Sequence, residues 1–171
     1  MKSRNRQATQ DDSTPGSPGG PDVSTIIGTM EEQRAALLTE LRNLALALPA
    51  VAERTLYDGF CRHWTPAYYS EGTQLFHVHN FRAGLRATMF VGARKLEPVI
   101  LESDQVPHEL RLLVAKTPGP RGRKEVRVPI ASLEDVASFW ELVRVKWETS
   151  QQRWPGVCRC MNDRSPSDIR G

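Results

Sequence analysis

The sequence predicts an α+β domain of two layers: a mostly antiparallel sheet of four to five strands, covered by N- and C-terminal amphipathic helices. Three observations predict it. A leucine-rich segment after residue 30 repeats its apolar residues at the helical period, residues 83–92 alternate with a period of two, and residues 132–148 return to the helical period behind a capping signal.

In "EEQRAALLTELRNLALALPAV", Leu37, Leu38, Leu41, Leu44, Ala45 and Leu48 share one face. Two leading glutamates suit the positive end of a helix, and Pro49 stops it. The aromatic-rich stretch that follows is interrupted by Gly59 and Pro66, so its first expected strand is the short "AYYS". Glu71–Gly72 reads as a hairpin turn into a second strand, "TQLFHVHNF". The third, "AGLRATMFVG", sets Leu85, Ala87, Met89 and Val91 against Arg86, Thr88 and Phe90. "LEPVILES" is expected to be a fourth, shorter strand at an edge, because of Pro98.

"VPHELRLLVAK" predicts a short helix with Pro107 near its first turn. The Gly/Pro loop "TPGPRGRK" leads into the alternating strand "EVRVPI". The last helix, "SLEDVASFWELVRVKWE", has Ser132 as cap and Asp135 in the capping-box position. Its core face is expected to carry Leu133, Val136, Trp140, Val143 and Trp147. One sheet face then lies under the helices, and the other is where a ligand or partner would meet the protein.

Residues 31–150 form the predicted single domain. Residues 1–30 hold few large apolar side chains, and "STPGSPGGPD" cannot bury enough surface to offset its ordering entropy, so this part is expected to be a disordered tail. Residues 151–171 are expected to be an irregular C-terminal tail. No stretch approaches a membrane-spanning length, and the basic start lacks the apolar run of a secretory signal. Three cysteines, Cys61, Cys158 and Cys160, make no disulfide framework and suit a reducing cytoplasm.

The net charge of +3 is spread thinly. Residues 31–150 hold sixteen Lys and Arg against fifteen Asp and Glu. Basic charge concentrates only in "KTPGPRGRKEVR", residues 116–127, where Arg121, Arg123, Lys124 and Arg127 are candidates for gripping an anion or nucleic acid. The loop lacks the ordered form of a nucleotide-binding P-loop, and its alternative is an ordinary solvated loop.

The candidates for metal or acid–base chemistry are His77 and His79 in "LFHVHN". Two residues apart on a strand, they share a face, and two imidazoles on one face can chelate a divalent metal. Further ligands would come from His63, His108, Cys61 or Glu71. The alternative is a pair of partly exposed strand residues, with Phe76 and Val78 turned to the core. Cys61 and His63 also form a nominal nucleophile pair, without an oxyanion motif, and packing at a loop entry is the alternative. Cys158 and Cys160 form a two-ligand "CRC". Trp140 and Trp147 read as core, whereas Trp64, Tyr68, Tyr69 and Trp154 suit a core and a ligand pocket equally.

The series "LRNLALALPAV", "TQLFHVHN" and "EVRVPIASLEDVASFWELVRVKWE" resembles the small luciferase-domain family, whose pattern has a leucine-rich helix, an E-x-x-H-x-H strand and a closing strand and helix. Gln74 stands where that family has an acid. The layout is also similar to YjbR/MmcQ-like small domains, through the capped helix at "SLEDV". The resemblance covers roughly residues 35–148. The first family picks out His77 and His79 and implies no light-emitting chemistry. The second implies a fold of the kind seen in nucleic-acid-binding modules, with no catalytic residues.

With no complete catalytic set, the residues point first to a small cytoplasmic binding or accessory module for a small molecule or protein. The alternatives are a metal- or histidine-dependent enzyme centred on His77 and His79, and nucleic-acid binding through residues 116–127.

Overall fold

The computed structural model describes residues 20–59 and 61–152. The element order is α1 (Val23–Gly28), α2 (Glu32–Ala47), β1 (Val51–Asp58), β2 (His63–Ser70), β3 (Thr73–Phe81), β4 (Gly84–Gly92), α3 (Leu96–Glu102), α4 (His108–Lys116), β5 (Arg123–Ile130) and α5 (Leu133–Gln151). The five strands form one antiparallel sheet in the order β1-β2-β3-β4-β5, so the α+β two-layer expectation holds.

Leu37, Leu38, Leu41 and Ala45 of α2 and Val136, Phe139, Leu142 and Val143 of α5 pack on Tyr68, Phe76, Val78, Ala87, Met89, Val91, Val126 and Val128 of the sheet. Tyr68 stacks on Phe76 at 4.6 Å between ring centroids, and Phe139 meets Phe76 edge-on at 5.5 Å. Arg42 of α2 clamps Glu53 of β1 through two hydrogen bonds of 2.7 and 3.0 Å. The capping box of α5 is present as expected: Asp135 N–H donates to Ser132 Oγ, and Ser132 N–H donates to Asp135 Oδ2. Glu71 and Gly72 both take positive φ, the geometry of a tight two-residue hairpin.

The structure corrects four expectations. First, "LEPVILES" is not a strand but α3. Pro98 is its third residue, where a missing N–H costs nothing because first-turn amides have no partner within the helix. Leu96 and Ile100, one turn apart, are buried. Second, strand structure begins well before "AYYS": the preceding residues make β1 and the first half of β2, and Pro66 lies inside β2 opposite Thr55.

Third, within the disordered tail expected over residues 1–30, the segment Val23–Gly28 forms α1. Asp22 caps it by accepting from Thr25 N–H at 2.6 Å, and Val23 is buried. Gly20 lies so close to Trp64 that an added Cβ would sit 2.5 Å from the ring. Residues 1–19 and 153–171, with Trp154, Cys158 and Cys160, lie outside the described residues. Fourth, Leu133 is 64% exposed instead of being core, whereas Lys146 is only 7% exposed.

Lys146 is buried for a reason the sheet supplies. The β3–β4 ladder runs from His77↔Thr88 to Phe81↔Gly84. Leu75 and Phe90 lie two positions beyond its end, and Lys146 Nζ donates to the carbonyls of both, at 3.0 and 2.9 Å. Burial, with a smaller contribution from Arg123, pushes the Lys146 ammonium down to about 7.

That shift sets a pH dependence. Between about pH 7 and the ordinary lysine value of 10.5, the unfolded chain holds a proton that the folded chain gives up. Stability from this site therefore rises with pH across that window, by on the order of a few kcal/mol, and is flat below it. Urea denaturation of the wild type and of Lys146→Met should show the rise in the first and its loss in the second.

Candidate functional site

In an antiparallel sheet, residues paired across strands point to the same face. The register therefore lays Arg54, Ala67, His77, Thr88 and Arg127 in one row across all five strands, on the face opposite the helices. His77 and His79 share this face, as their spacing predicts, while Phe76 and Val78 enter the core. They are not partly exposed strand residues, however: His77 is 9% and His79 8% exposed. Phe90 lies 5.7 Å from the His77 ring, and Phe81 stacks on His79 at 5.1 Å.

The two rings meet edge-on, 4.8 Å apart. Burial, reinforced by His79, pushes the His77 imidazole down to about 4. His79 is also held below its ordinary value by burial, with Asp58 opposing the shift. Both are neutral at pH 7, the form that offers a lone pair. The Nδ1 atoms of both are buried and have no hydrogen-bond partner among the described residues.

His79 reaches the β1–β2 turn. Its Nε2 lies 3.6 Å from Asp58 Oδ2. Asp58 ends β1, opposite His63, and its Oδ1 accepts from the Cys61 N–H at 3.2 Å, folding the turn back on itself. The result is a group of three donors: Asp58, Cys61 and His79 offer ligand atoms that all lie within 4.8 Å of one another. Of the further ligands expected, Cys61 joins His79. His63, His108 and Glu71 are exposed and outside the group, and His77, two residues before His79 on β3, is not part of it either.

The donor group borders an opening in the sheet. The β2–β3 ladder runs from Ser70↔Thr73 to Ala67↔His77 and goes no further, stopping just before Pro66, which has no N–H to extend it. Beyond that point the strands leave a cavity of about 330 Å³. Cys61, His63, Thr65 and His79 supply its polar wall, and Ile26 of α1 and Met30 just after it supply apolar surface. No protein-family model, curated protein or solved structure matches the chain.

The basic loop is divided by the pleat of β5. Arg123 and Arg127 lie on the open face and, with Arg121, line a shallow cavity that also contains Glu125. Arg127 is paired with Glu125 at 2.9 Å. Lys124 points the other way, 8% exposed, with its Nζ bound to Glu97 and to the carbonyls of Val114 and Ala115. It fastens α3 and α4 to β5. Three guanidinium groups lie over rings on the open face: Arg54 over Tyr69, Arg86 over Phe81 and Arg123 over Phe90.

Asp58 was not among the candidate ligands. A lone aspartate ahead of "GFC" carries no spacing signal, because its partner is twenty-one residues away on another strand. Lys146 was hidden in the same way, as one lysine on an otherwise ordinary amphipathic helix.

The nominal Cys61–His63 nucleophile pair gains no support. Partial burial and the Asp58 carboxylate push the Cys61 thiol up, away from the thiolate a nucleophile needs. Iodoacetamide at neutral pH should therefore label Cys61 more slowly than an unstructured thiol, and Asp58→Asn should speed it up. Peptide mapping by mass spectrometry separates Cys61 from Cys158 and Cys160. Labelling of Cys61 faster than a model thiol would reverse the assignment.

Proposed function

We propose that this chain is a small binding module built around a divalent transition-metal site, with Asp58, Cys61 and His79 as protein ligands and the adjoining cavity as the place where a small polar molecule meets the ion. The observation that carries this is the convergence of carboxylate, thiol and imidazole within 4.8 Å at the mouth of a cavity. Oxygen, sulfur and nitrogen donors together suit zinc, and three protein ligands with an open fourth position are the arrangement of sites that act on a bound molecule. When bound, such an ion supplies Lewis acidity and lowers the pKa of a coordinated water.

The chain's own part is to hold the donors. Asp58 and Cys61 are fixed by the turn, and His79 by the β4 side of its strand, where it pairs with Arg86. Phe81 shields the imidazole from solvent. His79 is one of the two positions singled out by the resemblance to the luciferase-domain family. Nucleic-acid binding through the 116–127 loop has weaker support, because Lys124 is committed to Glu97 and Arg127 to Glu125.

Elemental mass spectrometry on the untagged full chain, dialysed against zinc and then against metal-free buffer, tests the proposal. About one equivalent of zinc should remain, and Asp58→Asn, Cys61→Ser and His79→Gln should each reduce occupancy about tenfold or more. His77→Gln and Cys158→Ser/Cys160→Ser should retain the metal. Retention in His79→Gln, or no metal in the wild type, would overturn it.

A further inference from the structure

Lys124 and Lys146 are two buried lysines in the same fold, and they differ in one respect. Each donates to two backbone carbonyls. Lys124 completes its set with the carboxylate of Glu97. Lys146 has no carboxylate among the described residues. Where the counterion would be, there is a cavity of about 470 Å³ that Lys146 itself lines.

The rest of that cavity has the same sign. Arg123 and Lys95 line it, and no aspartate or glutamate among the described residues does. Arg123 is already ordered, with its Cζ 3.9 Å from the centroid of Phe90, which also lines the space. Thr73 and Gln74 add a hydroxyl and an amide at the start of β3. A buried ammonium without a counterion is costly, and three cations around one cavity repel each other unless an anion sits among them.

We infer that this cavity, between the N-terminal half of β3, β4 and the start of α3, is a binding site for a small phosphate-bearing ligand, held by Lys146, Arg123 and Lys95 with its body against Phe90. The Lys146 ammonium supplies the buried point charge, and its two carbonyl bonds leave one N–H for a ligand oxygen. Arg123 supplies the planar fork that matches a phosphate. The site is on the opposite half of β3 from Asp58, Cys61 and His79 and does not depend on a metal there.

Isothermal titration of the full chain at low salt, with inorganic phosphate, phenyl phosphate and benzoate as separate probes, tests the assignment. Phenyl phosphate should bind saturably to one site and more tightly than inorganic phosphate, because the ring gains Phe90. The Lys95→Gln/Arg123→Gln variant, which changes only exposed side chains, should weaken it about tenfold or more. Lys146→Met should abolish binding. If that variant does not fold, the double variant still decides. Arg121→Gln/Arg127→Gln should leave binding intact, since those side chains line the neighbouring cavity. The inference is overturned by any of three results. These are no saturation below about 10 mM, equal losses in the two double variants, or benzoate binding as tightly as phenyl phosphate.

Discussion

Everything of chemical interest in this fold follows from how β3 is held. It is paired with β2 only through its first half and with β4 only through its second, and His77 is the residue at which both ladders stop. A central strand is ordinarily bonded along both edges. Here each half has one full neighbour, so the sheet opens at two diagonally opposite places while remaining one sheet. The bulge at Tyr68/Tyr69 belongs to the same adjustment, since one strand must take up an extra residue as the pairing shifts.

The two openings are managed differently. Between β3 and β4 the freed carbonyls of Leu75 and Phe90 receive an ammonium from α5, which ties the helix layer to the sheet at that point. Between β2 and β3 the gap is bordered by a helix side chain, Ile26 of α1, that offers no charge. The turn of Asp58 and Cys61 borders it as well, with Met30 close by. One opening thus gathers positive charge and the other gathers donors for a cation. His77 is buried between them, and its neutrality at pH 7 avoids a charge where none could be solvated.

The parts visible in the sequence were those governed by local periodicity. The α2 and α5 helices, the alternation of β4 and β5, the Glu71–Gly72 hairpin and the Ser132–Asp135 box all depend on residues within a few positions of one another. "LEPVILES" misled because branched residues and a proline suit an edge strand, and only the packing of Leu96 and Ile100 favours a helix. The shared face of His77 and His79 was legible, but the burial of His77 was not, since it involves Phe90 of the neighbouring strand. The donor group and the lysine wedge were not legible, because each joins elements far apart in the chain. The pleat of β5 separated Lys124 from the arginines that adjoin it in sequence.

The order of the sheet also has a kinetic side. Strands β1 to β4 follow one another through tight connections, so each pairing closes a short loop and sacrifices little chain entropy. The last strand is different. Between Gly92 and its partner Arg123 the chain must first lay down α3 and α4. Docking β5 is therefore the late, long-range closure in assembly, and Lys124, which bonds to Glu97 at the start of that crossover and to α4 near its end, is the latch that fastens it.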